Sequence, residues 1–198
     1  MSRSQNAALV FVAVALLFLF WKDSAAADSF PLTTGSSTPN SATTSMASNL
    51  EVSIRHAGEH KLALAVTNTG DKPLNVLTWN SPLDPLALKL GLVELVPAGS
   101  SSAEPIQMHT IQIRRKMPPE ADSVVTIQAG EKQENVLELG EPVVPADKLR
   151  GKMTVRCKGA WMGVWGADDF KAEELKKIGS AEETRFGDFE AELTAVEL

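Results

Sequence analysis

Between residues 49 and 198 the apolar side chains fall mostly at every second position, the period of a half-buried β-strand. Leu50, Val52 and Ile54 alternate with Glu51, Ser53 and Arg55. Leu62, Leu64 and Val66 repeat the pattern up to the turn signal Asn68-Thr69-Gly70-Asp71. Residues 74–79 follow, closed by Ser81-Pro82-Leu83-Asp84-Pro85, with Trp79 expected in the core. Further strands are predicted at 87–96, 106–114, 123–128 and 134–139. Residues 152–158 place Met153, Val155 and Cys157 on one face, and 189–195 do the same with Phe189, Ala191, Leu193 and Ala195. One helix interrupts the series. Asp168 or Asp169 can cap its start, Phe170, Ala172, Leu175 and Ile178 form a rough apolar stripe, and Gly179 suits its end. Eight or nine short strands between Gly, Pro and Asn turns predict an all-β, antiparallel β-sandwich with one short helix near the C-terminus.

The pattern changes upstream. One positive side chain, Arg3, precedes an unbroken apolar run of fifteen residues, 7–21, shorter than the ~20 a bilayer span needs. Ala25-Ala26-Ala27 then supplies a small-residue cleavage pattern, so 1–27 is expected to be a secretory signal peptide cut after Ala27. The alternative is an uncleaved signal anchor tethering the protein to a membrane. Residues 28–48 hold eleven Ser or Thr in twenty-one positions and almost no charge, and are expected to be a disordered linker. The sandwich domain is therefore expected over 49–198, long enough to bury ~68–70% of its unfolded surface without disulfides or metals.

Composition narrows the chemistry. The 198-residue chain has one Cys, three His and a formal net charge of -6, and about -7 without residues 1–27. Acidity argues against a nucleic-acid partner, and one Cys excludes an intrachain disulfide. His56-Ala57-Gly58-Glu59-His60 matches H-x-x-E-H, which works on a helix that brings both His to one face of a zinc ion. Here it falls between two alternating strands, with 57–59 expected as a hairpin loop and His109 in a separate strand. No catalytic, cofactor or metal-ligating residue is therefore assigned. Cys157 is expected as a small buried hydrophobe.

Two groups remain as candidate partner contacts. Arg114-Arg115-Lys116 is the only basic run and precedes the turn Met117-Pro118-Pro119; it suits an acidic partner or a solvated strand end. Trp161 and Trp165 share the face of Cys157 if the strand from Met153 continues. They then either fill the core or form an exposed aromatic surface for a protein or glycan.

The run Leu64-Ala65-Val66-Thr67-Asn68-Thr69-Gly70-Asp71, followed by Pro73-Leu74-Asn75-Val76-Leu77-Thr78-Trp79-Asn80-Ser81-Pro82-Leu83, resembles the N-terminal propeptide region of deuterolysin-type (aspzincin) metalloproteases, including lysine-specific metalloendopeptidases. Residues 111–119 resemble that family's basic strand end and Pro turn. Val125-Thr126-Ile127-Gln128-Ala129-Gly130-Glu131 resembles its strand entering an A-P-G-E-like turn, with Gln128-Ala129 in place of Ala-Pro. The resemblance covers about 49–160 and implies an immunoglobulin-like β-sandwich. The family's catalytic H-E-x-x-H and G-T-x-x-D segments do not occur in the sequence, so no catalytic residue carries over. The expected function is that of a secreted, non-catalytic binding module, a propeptide standing alone that binds, inhibits or chaperones a metalloprotease or another extracellular protein. The alternatives are a zinc metallopeptidase using His56, Glu59 and His60, or a cell-surface, glycan-associated protein.

Overall fold

Alternation produces strands here because each leaves one face to pack and one to solvate. The computed structural model describes residues 46–98, 104–180 and 186–198. The expected signal peptide, and the linker up to residue 45, lie outside the described residues. Met46 and Ala47, at the end of the expected linker, already pack on the domain, with Ala47 in its core.

The described residues form nine strands: β1 (Leu50–Gly58), β2 (Lys61–Asn68), β3 (Leu74–Leu77), β4 (Val93–Pro97), β5 (Val124–Ile127), β6 (Lys132–Glu138), β7 (Lys152–Ala160), β8 (Val164–Gly166) and β9 (Asp188–Glu197). They make three antiparallel, three-stranded sheets in the orders β1-β2-β6, β5-β3-β8 and β4-β7-β9. The expected all-β antiparallel architecture is what the chain adopts. Leu62, Leu64 and Val66 of β2, Val93 and Leu95 of β4, and Val155 and Cys157 of β7 belong to one continuous core.

Two connections cross between the first two sheets. The chain passes from β2 to β3 and returns from β5 to β6, and Asn68 ties both crossings together. Its Nδ2 donates to the carbonyls of Lys72 (2.8 Å) and Ile127 (3.0 Å), and its Oδ1 accepts from the Gly70 amide (3.0 Å). Its backbone amide donates to Glu131 O and its carbonyl accepts from Gly130 N. Gly130 sits at φ 73, a conformation that glycine adopts at little cost. Asn68 is fully buried, and every side-chain polar atom buried among the described residues has a partner.

β2 is covered on both faces. Ala63 and Ala65 lie on its outer side, opposite Arg55 of β1 and Glu134 of β6 respectively. Arg55 reaches Glu134 through two hydrogen bonds of 2.7 and 3.3 Å, spanning the central strand, and Lys132 joins at 2.9 Å. The two small alanines leave room for that strap, which buries them.

Several expectations are corrected. Of residues 87–96 only the last four are strand, within β4 (Val93–Pro97); residues 87–91 turn, with Ala87 and Leu88 buried. Residues 106–114 form no strand, because their amides bond to three different segments: Ile106 to Leu95, His109 to Val143 and Ile111 to Lys89. No neighbour runs alongside them. In β9 a bulge between its pairings with Met153 and Val155 turns Ala195 to φ 53 and exposes it, and Val196 takes the partly buried place expected for Ala195. The helix, α1, is Ala172–Lys177, shorter than expected, with no side-chain cap. Asp168 and Asp169 belong instead to a turn in which Gly166 O accepts from Asp169 and Phe170. Leu175 and Ile178 are buried as expected, whereas Ala172 is exposed.

Replacing Asn68 with Ala deletes three side-chain hydrogen bonds at a fully buried position, one of them the buried bond to the Ile127 carbonyl. A loss of about 2–4 kcal/mol is expected, read as the unfolding free energy from urea titration. The strap makes a separate, pH-dependent prediction. Hydrogen bonding from Arg55 and then Lys132 holds the Glu134 carboxyl down to about 2. Its folded value lies below the unfolded one, so its stabilisation is complete above the ordinary glutamate range and fades as pH falls towards 2. The stability gap between wild type and Glu134→Gln should be open near neutrality and close in strong acid.

Candidate contact groove

A buried carboxylate organises the loop after β3. Asp84 is fully buried, accepting from the amides of Asn80 (2.8 Å) and Leu86 (2.9 Å). Ser81 Oγ donates to Thr78 O and accepts from the Leu83 amide, and Asn135 Nδ2 donates to the carbonyls of Pro82 and Asp84. The remaining charge requirement of Asp84 is met by Arg115, whose guanidinium lies 2.5 Å from Oδ2 and 5.0 Å from the centre of the Trp79 ring. Arg115 therefore binds loop to aromatic ring, a cation–π contact beside an ion pair.

This clamp fixes one wall of a groove of about 840 Å³. Trp79, Leu90, Leu92, Ala160 and Met162 line it together with 111–115 and Met117. Trp79 is half-buried, packing on the core while also facing the groove, which corrects its expected place wholly inside. Four large hydrophobic side chains are strongly exposed among the described residues, and three flank this groove: Ile111 (43%), Ile113 (38%) and Met117 (46%). The sequence reading missed them because their alternation promised a strand with a buried face.

The basic run divides. Arg115 is structural, as above. Lys116 makes an exposed ion pair with Glu120 at 3.0 Å, an interaction of small worth in water. Arg114 is exposed at the groove and has no ion-pair partner among the described residues.

Trp161 and Trp165 are buried rather than exposed. Strand β7 stops at Ala160, so the expected continuation fails and β8 joins a different sheet beside β3. Trp161 (3% exposed) packs on Phe189 at 4.9 Å between centroids, and Trp165 (8%) packs between Phe170 and Phe186 at 5.1 and 5.4 Å. A Cβ at Gly163 would collide with the Trp165 ring, so this approach needs glycine. The rings fill the core, and the alternative of an exposed aromatic surface is overturned by their burial.

His56, Glu59 and His60 lie on the β1–β2 hairpin, all exposed, with Glu59-His60 as the connecting residues and His60 at φ 53. The loop starts two residues later and ends one residue later than the expected 57–59. Strand and turn replace the helix that H-x-x-E-H chemistry uses. His109 instead donates Nδ1–H to Pro142 O at 2.8 Å. The described residues contain no group of three or more His, Cys, Asp or Glu placed to hold a metal. Cys157 is fully buried, and burial pushes its thiol up to about 12, far from the reactive thiolate range.

The division of the basic run is testable. Arg115→Ala strands a buried carboxylate and should cost about 2–4 kcal/mol. Arg114→Ala should change stability by less than about 0.5 kcal/mol. Parallel denaturant titrations of the two variants check both.

Comparison with known proteins agrees with the architecture. A family model for the immunoglobulin-like domain matches residues 49–198. A protein of Arthroderma benhamiae named "Uncharacterized secreted protein" is 33% identical over 142 residues, covering 69% of each chain. No helix among the described residues is long and apolar enough to cross a membrane. The match spans the whole of the β-rich region, and the chain belongs to the immunoglobulin-like domain family.

Proposed function

We propose that this protein is a secreted, non-catalytic binding module that acts as a propeptide-like domain and contacts a metalloprotease through the groove beside Ile111, Ile113 and Met117. The observation that carries the reading is the concentration of exposed apolar side chains around one groove, next to Arg114, which is exposed and has no ion-pair partner among the described residues. Scattered exposed hydrophobics are ordinary, whereas a rimmed cluster favours association. Secretion is supported by the order of the N-terminal signals and by the name of the Arthroderma benhamiae relative.

The protease as partner rests on the sequence resemblance. Binding rather than catalysis is favoured by the hairpin setting of His56, Glu59 and His60, and by the inert surroundings of Cys157. Burial of Trp161 and Trp165 removes the support for a glycan platform.

Protein taken from culture medium should begin at Asp28. Mixed at micromolar concentration with a purified deuterolysin-type protease, it should co-elute on size exclusion and slow hydrolysis of a peptide substrate. Ile113→Glu should remove both effects. Unchanged elution, activity and protease refolding yield would sink the protease reading.

A further inference from the structure

The groove wall has a feature that side-chain exposure alone does not explain. Residues 104–116 run without turn, bend or ladder pairing. After the Ile111 amide, which donates to Lys89 O, the backbone of 112–116 makes no hydrogen bond to another backbone group among the described residues. A straight segment with unspent donors and acceptors is what an added strand uses. Side chains alternate along such a segment, so Ile111 and Ile113 project together while Arg114 and Lys116 share the other parity.

Resting on the groove as the contact surface, we infer that 111–116 accepts an extended, acidic segment of a partner protein by strand addition. The partner segment alternates apolar residues with Asp or Glu. Its apolar side chains lie against Ile111 and Ile113 in the groove, and its carboxylates meet Arg114 and Lys116. Charge selects this occupant. Residues 114–116 are the only three consecutive basic residues in a chain of net charge -6, and Arg114 has no counter-charge of its own among the described residues. Backbone pairing supplies affinity and register, and the cations reject basic strands. Residues 189–193 of a second copy have the same acidic and apolar alternation, but their strand is paired to β7 and Glu192 is already held by Arg156 at 2.6 Å.

The probes are three short, capped peptides: one alternating Glu with Val or Ile, its Lys counterpart, and the Glu peptide N-methylated at alternate amides. Fluorescence anisotropy with the mature wild-type protein should show the Glu peptide binding at least about tenfold more tightly than either of the others. Arg114→Glu combined with Lys116→Glu should reverse the charge preference. Both positions are exposed and the Arg115 clamp is untouched, so folding is preserved, as a circular dichroism melt would show. Equal binding of the Glu and Lys peptides, unchanged affinity of the methylated peptide, or no binding at all would overturn strand addition. If the peptides fail while an Ile113-dependent protease complex survives, the binding-module reading stands without it; loss of both overturns both. A concentration-dependent dimer abolished by Ile113→Glu would place a second copy in the groove and overturn the proposed occupant.

Discussion

Two chain crossings between the same pair of sheets meet at one buried point, and the Asn68 carboxamide meets their hydrogen-bonding needs together. The β2–β3 connection turns on the Gly70 amide and the Lys72 carbonyl, both bonded to that side chain. The β5–β6 connection is held by Ile127 O, Gly130 N and Glu131 O. A buried turn with orphaned backbone groups costs about 1–3 kcal/mol for each group. One carboxamide, acceptor and double donor at once, avoids that cost at both crossings. An aspartate could not donate, and a serine could not reach three partners.

The position of β3 follows from this clasp, and the groove follows from β3. Trp79 stands two residues past the strand end, and the loop beyond it folds back around the buried Asp84. A buried carboxylate needs a cation, and Arg115 supplies it from a segment that has no strand partner. That ion pair, more than any ladder, keeps residues 111–116 against the domain. The consequence is unusual for a β domain: a straight, apolar and basic segment is held in place by a side chain while its backbone stays unspent.

Much of this frame could be read from alternation. Leu50, Val52 and Ile54, or Met153, Val155 and Cys157, each announce one buried face, and those strands form as expected. Alternation reports a face and not a neighbour, which is why 106–114 looked like a strand and is none. The Asp84–Arg115 pair was invisible for a related reason: its residues lie 31 apart, and nothing local marks Asp84 as buried. For the aromatic residues parity left two outcomes open, core or surface, and the structure takes the core. Extending β7 past Ala160 put Trp161 and Trp165 on one surface, but the chain breaks at 161–163 to let Gly163 sit against the Trp165 ring.

The stretches that carry the resemblance to protease propeptides differ in what they can transmit. Asn68-Thr69-Gly70 and Ala129-Gly130-Glu131 are two halves of one clasp, and Trp79 to Asp84 is the loop around a buried charge. Selection on such residues preserves a frame, whatever the frame is used for. Residues 111–119 are different, since Ile111, Ile113, Arg114 and Met117 are exposed and hold little of the core together. Arg115 in the same stretch serves the frame through Asp84, so only a likeness at the exposed positions has no packing to explain it. A resemblance in the clasp therefore speaks to the fold alone, and a resemblance at the exposed groove wall is the part that bears on the proposed partner.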